Sequence, residues 1–439
     1  MSATETTRPK EYIRFVVILM GLISLMDNYL AQVELGVLKY MAYDLGISVN
    51  ELNVYLMAYG VIAFAVFFIS WYTDAADRKK GLMLLVLMMG IPSVLLPVVN
   101  PTGTNGIHIA AILYSIITMA TLANTWQIPV AEEAPAKNRG KLGALAFLIG
   151  LIPIYAILGP MIARPKTPIP LPDFAGDKPG WGWGWEWAYG LWGVIFMVLC
   201  LLLLVFVFKE PERWIKAKEQ RQNKLLDLKN ALKMMTKKDC IYALVLAGVY
   251  FIWSATFKMG TLQFQNFYSD ASIAAVRTGG IDQYNSTYLI VGGLLTPVGA
   301  LLSGLFLDKI GRRWTLIIGC IGSVASFIFI GITFHYIAMW GIFLCMPIVL
   351  GWITVYFAEI FPTKIRATCM GIVVTISRAA YVAGPGLASL AGAFGWPAYW
   401  IFTGLLMVIP LMALLVKPYE AMHKTIEEIE NQRDAKKSG

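Results

Sequence analysis

An all-α membrane protein of twelve transmembrane helices in two six-helix halves is what this sequence predicts, on three observations. Apolar runs of membrane-spanning length recur along all 439 residues. The polar turns between those runs repeat half a chain apart. The basic residues gather in alternate turns.

The runs decide the class. The chain is 58% hydrophobic and only 14% charged, with a mean hydropathy of +0.64, where a soluble domain carries about 25% charged residues. A run of about 20 apolar residues crosses the ~30 Å hydrocarbon core as a helix. Only helices or closed barrels satisfy their backbone in lipid, and the absence of strict alternation selects helices. The predicted spans are 13–40, 50–72, 81–100, 107–131, 142–162, 187–208, 240–267, 285–307, 314–335, 337–358, 367–392 and 396–416. The division that follows is a first half (1–208), a basic linker (209–239), a second half (240–416) and a tail (417–439).

The turns show the duplication. Residues 304–313 run Gly304-x3-Asp308-x2-Gly311-Arg312-Arg313, and residues 70–79 place Asp74 and Arg78 at the same offsets. Downstream, Glu132-x2-Pro135-x3-Arg139-Gly140 answers Glu359-x2-Pro362-x3-Arg366-Ala367. The paired copies lie 234 and 227 residues apart.

The basic residues orient the chain. Of the 36 Lys and Arg, 29 fall in one set of alternate segments, which includes both termini, and five in the other. The positive-inside rule then predicts a multi-pass protein of the cell membrane with both termini cytoplasmic. The same bias accounts for the net charge of +9 without nucleic acid as a partner. Cys200, Cys240, Cys320, Cys345 and Cys369 lie in or beside apolar runs without metal-ligand spacing, so they read as packing residues, with no metal and no cofactor. No cleavable leader is predicted.

Between the spans, the linker carries Leu225, Leu226, Leu228 and Leu232 among lysines. It reads either as a surface amphipathic helix or as a solvated connector. The 163–186 loop is rich in Trp, Gly and Pro. Its tryptophans suit the lipid–water interface or an aromatic lid. The third, sixth, ninth and twelfth spans are almost purely apolar and are expected to face lipid. The others would enclose a shared polar space, as in a transporter built from two repeats.

Twelve spans in two halves, a D-x2-G-R-R turn after the eighth span and a long linker resemble the major facilitator superfamily. The first-half turn departs from that pattern, with Ser70 and Asp77 in place of the two glycines. Pro129-Val130-Ala131-Glu132-Glu133-Ala134-Pro135-x3-Arg139-Gly140 and Pro211-Glu212-Arg213-Trp214 resemble elements of its sugar-porter and organic-ion branches. Ala358-Glu359-Ile360-Phe361-Pro362-Thr363-x-Ile365-Arg366-Ala367-Thr368 is similar to the aromatic-acid/proton symporters and organic-ion carriers. The Gln-Gln-x2-Gly-x-Asn pattern of sugar porters is not matched in the seventh span, and their basic residue in the fourth span is missing. The resemblance implies that the turns around Asp74, Arg78, Glu132, Arg139, Asp308, Gly311, Arg312, Arg313, Glu359 and Arg366 tie helix ends together in an outward-open state. Glu132 with Arg139, and Glu359 with Arg366, are the expected clusters. An Asp near a neighbouring helix N-terminus is also favoured by the helix dipole.

Ionisable groups inside a membrane are costly and mark function by default. Asp27, near the middle of the first span, is the expected proton carrier: burial raises a carboxyl pKa and a nearby cation lowers it. The resemblance supports it, since several proton-coupled branches place an Asp in the first span. Glu34, two turns on, is a second candidate that may instead reach the outer interface with Lys39. Arg378, in the eleventh span, suits a carboxylate anchor or a standing pair with Asp27. Lys258 assists an anion or snorkels outward. Asn28, Gln32, Tyr59, Asn124, Gln127, Gln263, Trp352, Tyr356 and Tyr381 are the expected polar lining, each also open to a plain helix–helix role.

The leading expectation is proton-coupled symport of a small organic anion by a monomer. The alternative is a sugar or polyol/proton symporter. A transporter-like sensor lacks a signalling domain. A pump lacks the G-x4-G-K-[ST] phosphate loop. An enzyme is opposed by three scattered histidines.

Overall fold

The computed structural model describes residues 8–47, 49–121, 123–163, 181–220, 233, 235–269, 286–380, 383, 393–416 and 428. Among the described residues there is no strand, and ten helices are long and apolar enough to cross a membrane. The predicted bounds agree within a few residues. The third span is Arg78–Val99, the sixth Trp185–Phe206, the ninth Gly311–Thr333 and the tenth Tyr336–Ile360. The fifth and eleventh complete twelve. The fifth is split into Arg139–Gly150 and Ile154–Ala163, because Pro153 has no N–H for the helical ladder. The eleventh begins as Arg366–Ser377, and most of its remainder lies outside the described residues.

Other interruptions are invisible to hydropathy. The first span is two helices, Lys10–Gln32 and Glu34–Asp44. The second carries a 3-10 segment, Gly60–Ala65, between Val49–Tyr59 and Val66–Ala75. The fourth is Gly103–Ala120 followed by Gln127–Glu133. Between its two parts, Asn124 has φ 57, a left-handed conformation that Asn tolerates better than most side chains. The twelfth ends in a 3-10 segment, Ile409–Val416, which contains Pro410.

The first and tenth spans are the most deeply buried. The halves meet chiefly where the fifth span packs on the eighth and the second on the eleventh. Both crossings are close. A Cβ on Gly304 would overlap Ala144, and one on Gly371 would overlap Ser70. Each contact keeps one glycine, but in the second pair it sits on the opposite helix, which is why the first-half turn tolerates Ser70.

The third, sixth, ninth and twelfth spans do present large apolar side chains outward, among them Val98, Phe206, Ile332 and Leu415. The expectation needs one correction. The second span is as exposed, with Val54, Val61 and Phe68 each more than half accessible. It covers the eleventh span with one face only and turns the other outward. The linker helix Glu212–Gln220 docks against both halves, on Gln127–Glu133 of the first and Thr363–Ile365 of the second. The predicted leucine stripe at 225–232 and loop residues 164–180 lie outside the described residues. Of the loop tryptophans, Trp183 and Trp187 are exposed and Trp185 is buried.

Candidate functional site

Two regions concentrate polar groups: a central cavity, and the end of the bundle that carries the basic turns, here called the basic end. The cavity is narrow, with about 30 Å³ open to the centres of water molecules. Asn28 and Gln32 of the first span line it, with Trp253, Ser254 and Phe257 of the seventh, Thr296 of the eighth and Phe343 and Pro347 of the tenth. Among the described residues its lining carries no charged side chain. Trp253 and Phe257, one turn apart, stack at 5.1 Å with planes 10° apart. Trp253 Nε1 donates to the Met346 carbonyl at 2.9 Å, which fixes the indole at the wall.

Asp27 sits one residue from the lining and is buried. Its Oδ2 accepts a hydrogen bond from Trp126 Nε1 at 3.0 Å, and Trp126 stacks on Phe147. Trp126 ends the interruption of the fourth span. At the start of that interruption, Arg378 Nη2 donates to the Thr121 carbonyl, at the C-terminus of Gly103–Ala120. A helix C-terminus offers unsatisfied carbonyls and partial negative charge, which suits a cation. Asn124, in the same turn, donates to Tyr250 of the seventh span at 3.1 Å. Glu34 opens the second helix of the first span and accepts a bond from Tyr114. It is buried, so it does not reach the outer interface.

At the basic end, the repeated turns form two clusters. Glu132 accepts Arg78 Nη2 and Arg366 Nη1 on Oε1, both at 2.9 Å. Glu359 accepts Arg312 through two bonds, at 2.7 and 3.1 Å, with Arg139 at 3.9 Å. The expected pairing of Glu132 with Arg139 and Glu359 with Arg366 is therefore corrected: each glutamate takes its second arginine from the other half. The aspartates also cross between halves. Asp74 pairs with Arg78 and accepts the Thr368 N–H at 2.5 Å, while Asp308 accepts the Lys141 N–H at 2.7 Å. Each carboxylate meets the third residue of a helix that starts in the other half, where its charge complements the dipole. Arg313 is exposed.

The linker joins the first cluster. Trp214 is buried beneath the Arg78 guanidinium, 4.0 Å from its ring centre, a cation–π distance. Arg213 donates to the Glu132 carbonyl. Glu210 accepts the N–H groups of Arg78 and Lys79 at 3.1 and 2.9 Å. Burial pushes the Glu210 carboxyl above its usual value, against the lowering effect of the Lys79 N–H. Burial also works to raise Asp77, but Lys218 at 2.6 Å and Lys80 at 3.1 Å outweigh it and hold that carboxyl low.

Comparison with known proteins settles the family. The family model described as Major Facilitator Superfamily matches residues 17–355 and 285–438. The chain belongs to the major facilitator superfamily. It is 24% identical over 400 residues to the arabinose-proton symporter of Bacillus subtilis (strain 168), covering 82% of this chain and 81% of that protein. Among solved structures, the proton:xylose symporter XylE bound to 6-bromo-6-deoxy-D-glucose matches with a TM-score of 0.70 and 18% identity, over 97% of this chain and 100% of XylE. FucP in the outward conformation matches at 0.66 with 10% identity, over 93% and 99%. The human organic anion transporter MFSD10 (TETRAN) matches at 0.64 with 14% identity, over 93% and 100%. The protein is thus a multi-pass membrane transporter with the twelve-helix fold of this superfamily.

Within that superfamily fold, the predicted lining divides. Asn28 and Gln32 line the cavity. Tyr59, Asn124, Gln127, Trp352 and Tyr356 are not among its described lining. Tyr59 meets His108 at 2.9 Å, Gln127 donates to the Gly143 carbonyl at 3.4 Å, and Trp352 stacks on Tyr356. Tyr59 and Gln127 thus fill helix–helix roles, whereas Trp352 and Tyr356 stack within one helix. The side chains of Lys258 and Gln263, and Tyr381 as a whole, lie outside the described residues. The sequence reading missed Trp253, Ser254, Phe257, Thr296 and Phe343. The available signal was Trp253 and Phe257 at i, i+4 on one helix face, but aromatic pairs at that spacing are ordinary in spans.

Proposed function

We propose that this transporter is a proton-coupled symporter of a sugar or polyol, working by alternating access as a monomer with the basic end in the cytoplasm. The observation that carries the reading is the cavity lining. Amides and hydroxyls of Asn28, Gln32, Ser254 and Thr296 offer neutral hydrogen bonds, and the stacked Trp253 and Phe257 offer an apolar face. That chemistry suits a polyhydroxylated ring. It supplies no described cation for a carboxylate, and Arg378 is engaged with the Thr121 carbonyl. The arabinose and xylose symporters among the relatives support the same choice over an organic anion.

Asp27 is the proton site in this reading. It is buried one residue from the cavity, and its carboxylate accepts the Trp126 indole N–H. The two halves 1–208 and 240–416 move as the repeating units, joined by the 209–239 linker.

The test is uptake into proteoliposomes under an inward proton gradient, with pentoses, hexoses, polyols and carboxylates as substrates. Sugar accumulation that fails in Asp27→Asn supports the reading. Carboxylate accumulation that fails in Arg378→Ala overturns it and restores the organic-anion alternative.

A further inference from the structure

The interrupted turn of the fourth span is held from three sides. Asp27 of the first span accepts the Trp126 indole N–H. Arg378 of the eleventh span binds the Thr121 carbonyl. Tyr250 of the seventh span accepts from Asn124. The first contact is within the first half, and the other two cross to the second half. The turn therefore touches the buried carboxyl on one side and the partner half on the other. Asn124 holds a left-handed backbone, which Asn adopts more readily than most L side chains.

We propose that Thr121 and residues 123–126 form the coupling element of the carrier, where the proton signal and the substrate signal converge on the contact between the halves. The inference rests on Asp27 as proton site and on the sugar reading of the cavity. A proton that lands on Asp27 removes its charge and weakens its bond to Trp126. A substrate in the cavity presses on Trp253, which lies one turn from Tyr250 on the same helix and packs on it at 6.2 Å. Both events act on the bonds that the turn makes to the second half. Trp126 and Tyr250 are positioning residues in this scheme, neither being part of the described lining.

Other titratable groups on the elements around Asp27 have partners of their own. Tyr114 of the fourth span bonds Glu34, and Tyr189 of the sixth packs against Tyr114. Glu132 and Glu133 lie at the far end of the helix that follows Trp126, engaged by Arg78 and by the Glu212 N–H. Gly150 of the fifth span packs on Ser24, while Arg139 and Lys141 start that helix at the basic end, about 16 Å of helix rise away. Arg78, Lys79 and Lys80 start the third span at that same end, and Glu186 opens the sixth at the opposite end.

Two measurements on the full chain test the proposal. In the first, spin labels at exposed Thr102 and Ile337, after Cys240→Ser removes the exposed thiol, report the separation of the halves at the end opposite the basic turns. The distance distribution should shift between acidic and alkaline buffer in the otherwise wild-type protein. Asp27→Asn should hold the acidic distribution at both, and Trp126→Phe, which keeps the stacking on Phe147, should abolish the shift. A Trp126→Phe protein that titrates like wild type overturns the proposal, as does a wild type with no shift. In the second, Tyr250→Phe should keep arabinose exchange within about twofold while proton-driven accumulation falls about tenfold. Unchanged accumulation, or equal loss of both, overturns it. A wild type that accumulates no sugar while its labels respond through Trp126 sinks the sugar reading and leaves the role of the turn standing.

Discussion

The two copies of the charged turn start from the same pattern and end in different states. In the first half, Glu132 holds two buried arginines at equal distance, and the linker covers them with Trp214. In the second half, Glu359 holds Arg312 closely and Arg139 at 3.9 Å. The aspartates behave alike, each capping a helix of the opposite half. The glycines do not. Gly311 adopts φ +88, which needs glycine, while Asp77 at the same position is extended with φ −151. The copy that lost its glycines gained a carboxylate for Lys218 and so a tie to the linker. Duplication fixed the crossed contacts between halves, and divergence made one copy the anchor of the linker.

The largest way to break this comparison is at the glutamates. Glu132→Gln leaves Arg78 and Arg366 buried without their shared charge, and should cost about 3–5 kcal/mol of stability. Glu359→Gln should cost less, near the lower end of that range, because Glu359 holds one arginine closely and the second only at 3.9 Å. Thermal unfolding of the purified variants in detergent gives the order; equal losses would erase the asymmetry. Next come the close crossings. Gly304→Ala should cost about 1–3 kcal/mol by overpacking against Ala144, and Ala144→Gly should restore most of it. Gly371→Ala with Ser70→Gly should behave the same way, and a failure of either rescue would show that the crossings are not equivalent.

Smaller effects sharpen the contrast. Gly311→Ala should cost about 1 kcal/mol for its left-handed backbone, whereas Asp77→Ala carries no such conformational strain. Denaturation of the two variants side by side reads that difference. The weakest element is the Asp77–Lys218 tie, partly exposed and worth at most about 1 kcal/mol. Its carboxyl is held below the unfolded value, so its contribution is full above about pH 4 and is lost as pH falls through the lower folded value. Asp77→Asn should flatten that acid limb of the stability profile; an unchanged limb would assign it to other groups.

Much of this was legible in the residues. Run length and charge bias are local sums, and they mark the spans to within a few residues. The repeat spacing marks which turns correspond. Asp27 could be singled out because a carboxylate inside an apolar run is rare whatever surrounds it. Tyr59, Gln127 and Tyr356 could not be sorted, because a polar side chain in a span serves a neighbouring helix as readily as a ligand. Trp253 and Thr296 were passed over for the converse reason: in a span, such residues are ordinary packing.

The sequence by itself determined the membrane class, the twelve spans, the duplication and the set of charged residues at the turns, since each depends on composition and spacing along the chain. Only the tertiary structure decided which partner each charge takes. Glu132 and Arg366 are 234 residues apart and 2.9 Å from each other, and Asp27 accepts an indole N–H from Trp126, 99 residues away. The break in the fourth span, the crossed glutamates and the cavity all arise where helices from different parts of the chain meet. Pairing there is set by the geometry of the crossing, which no local window of residues encodes.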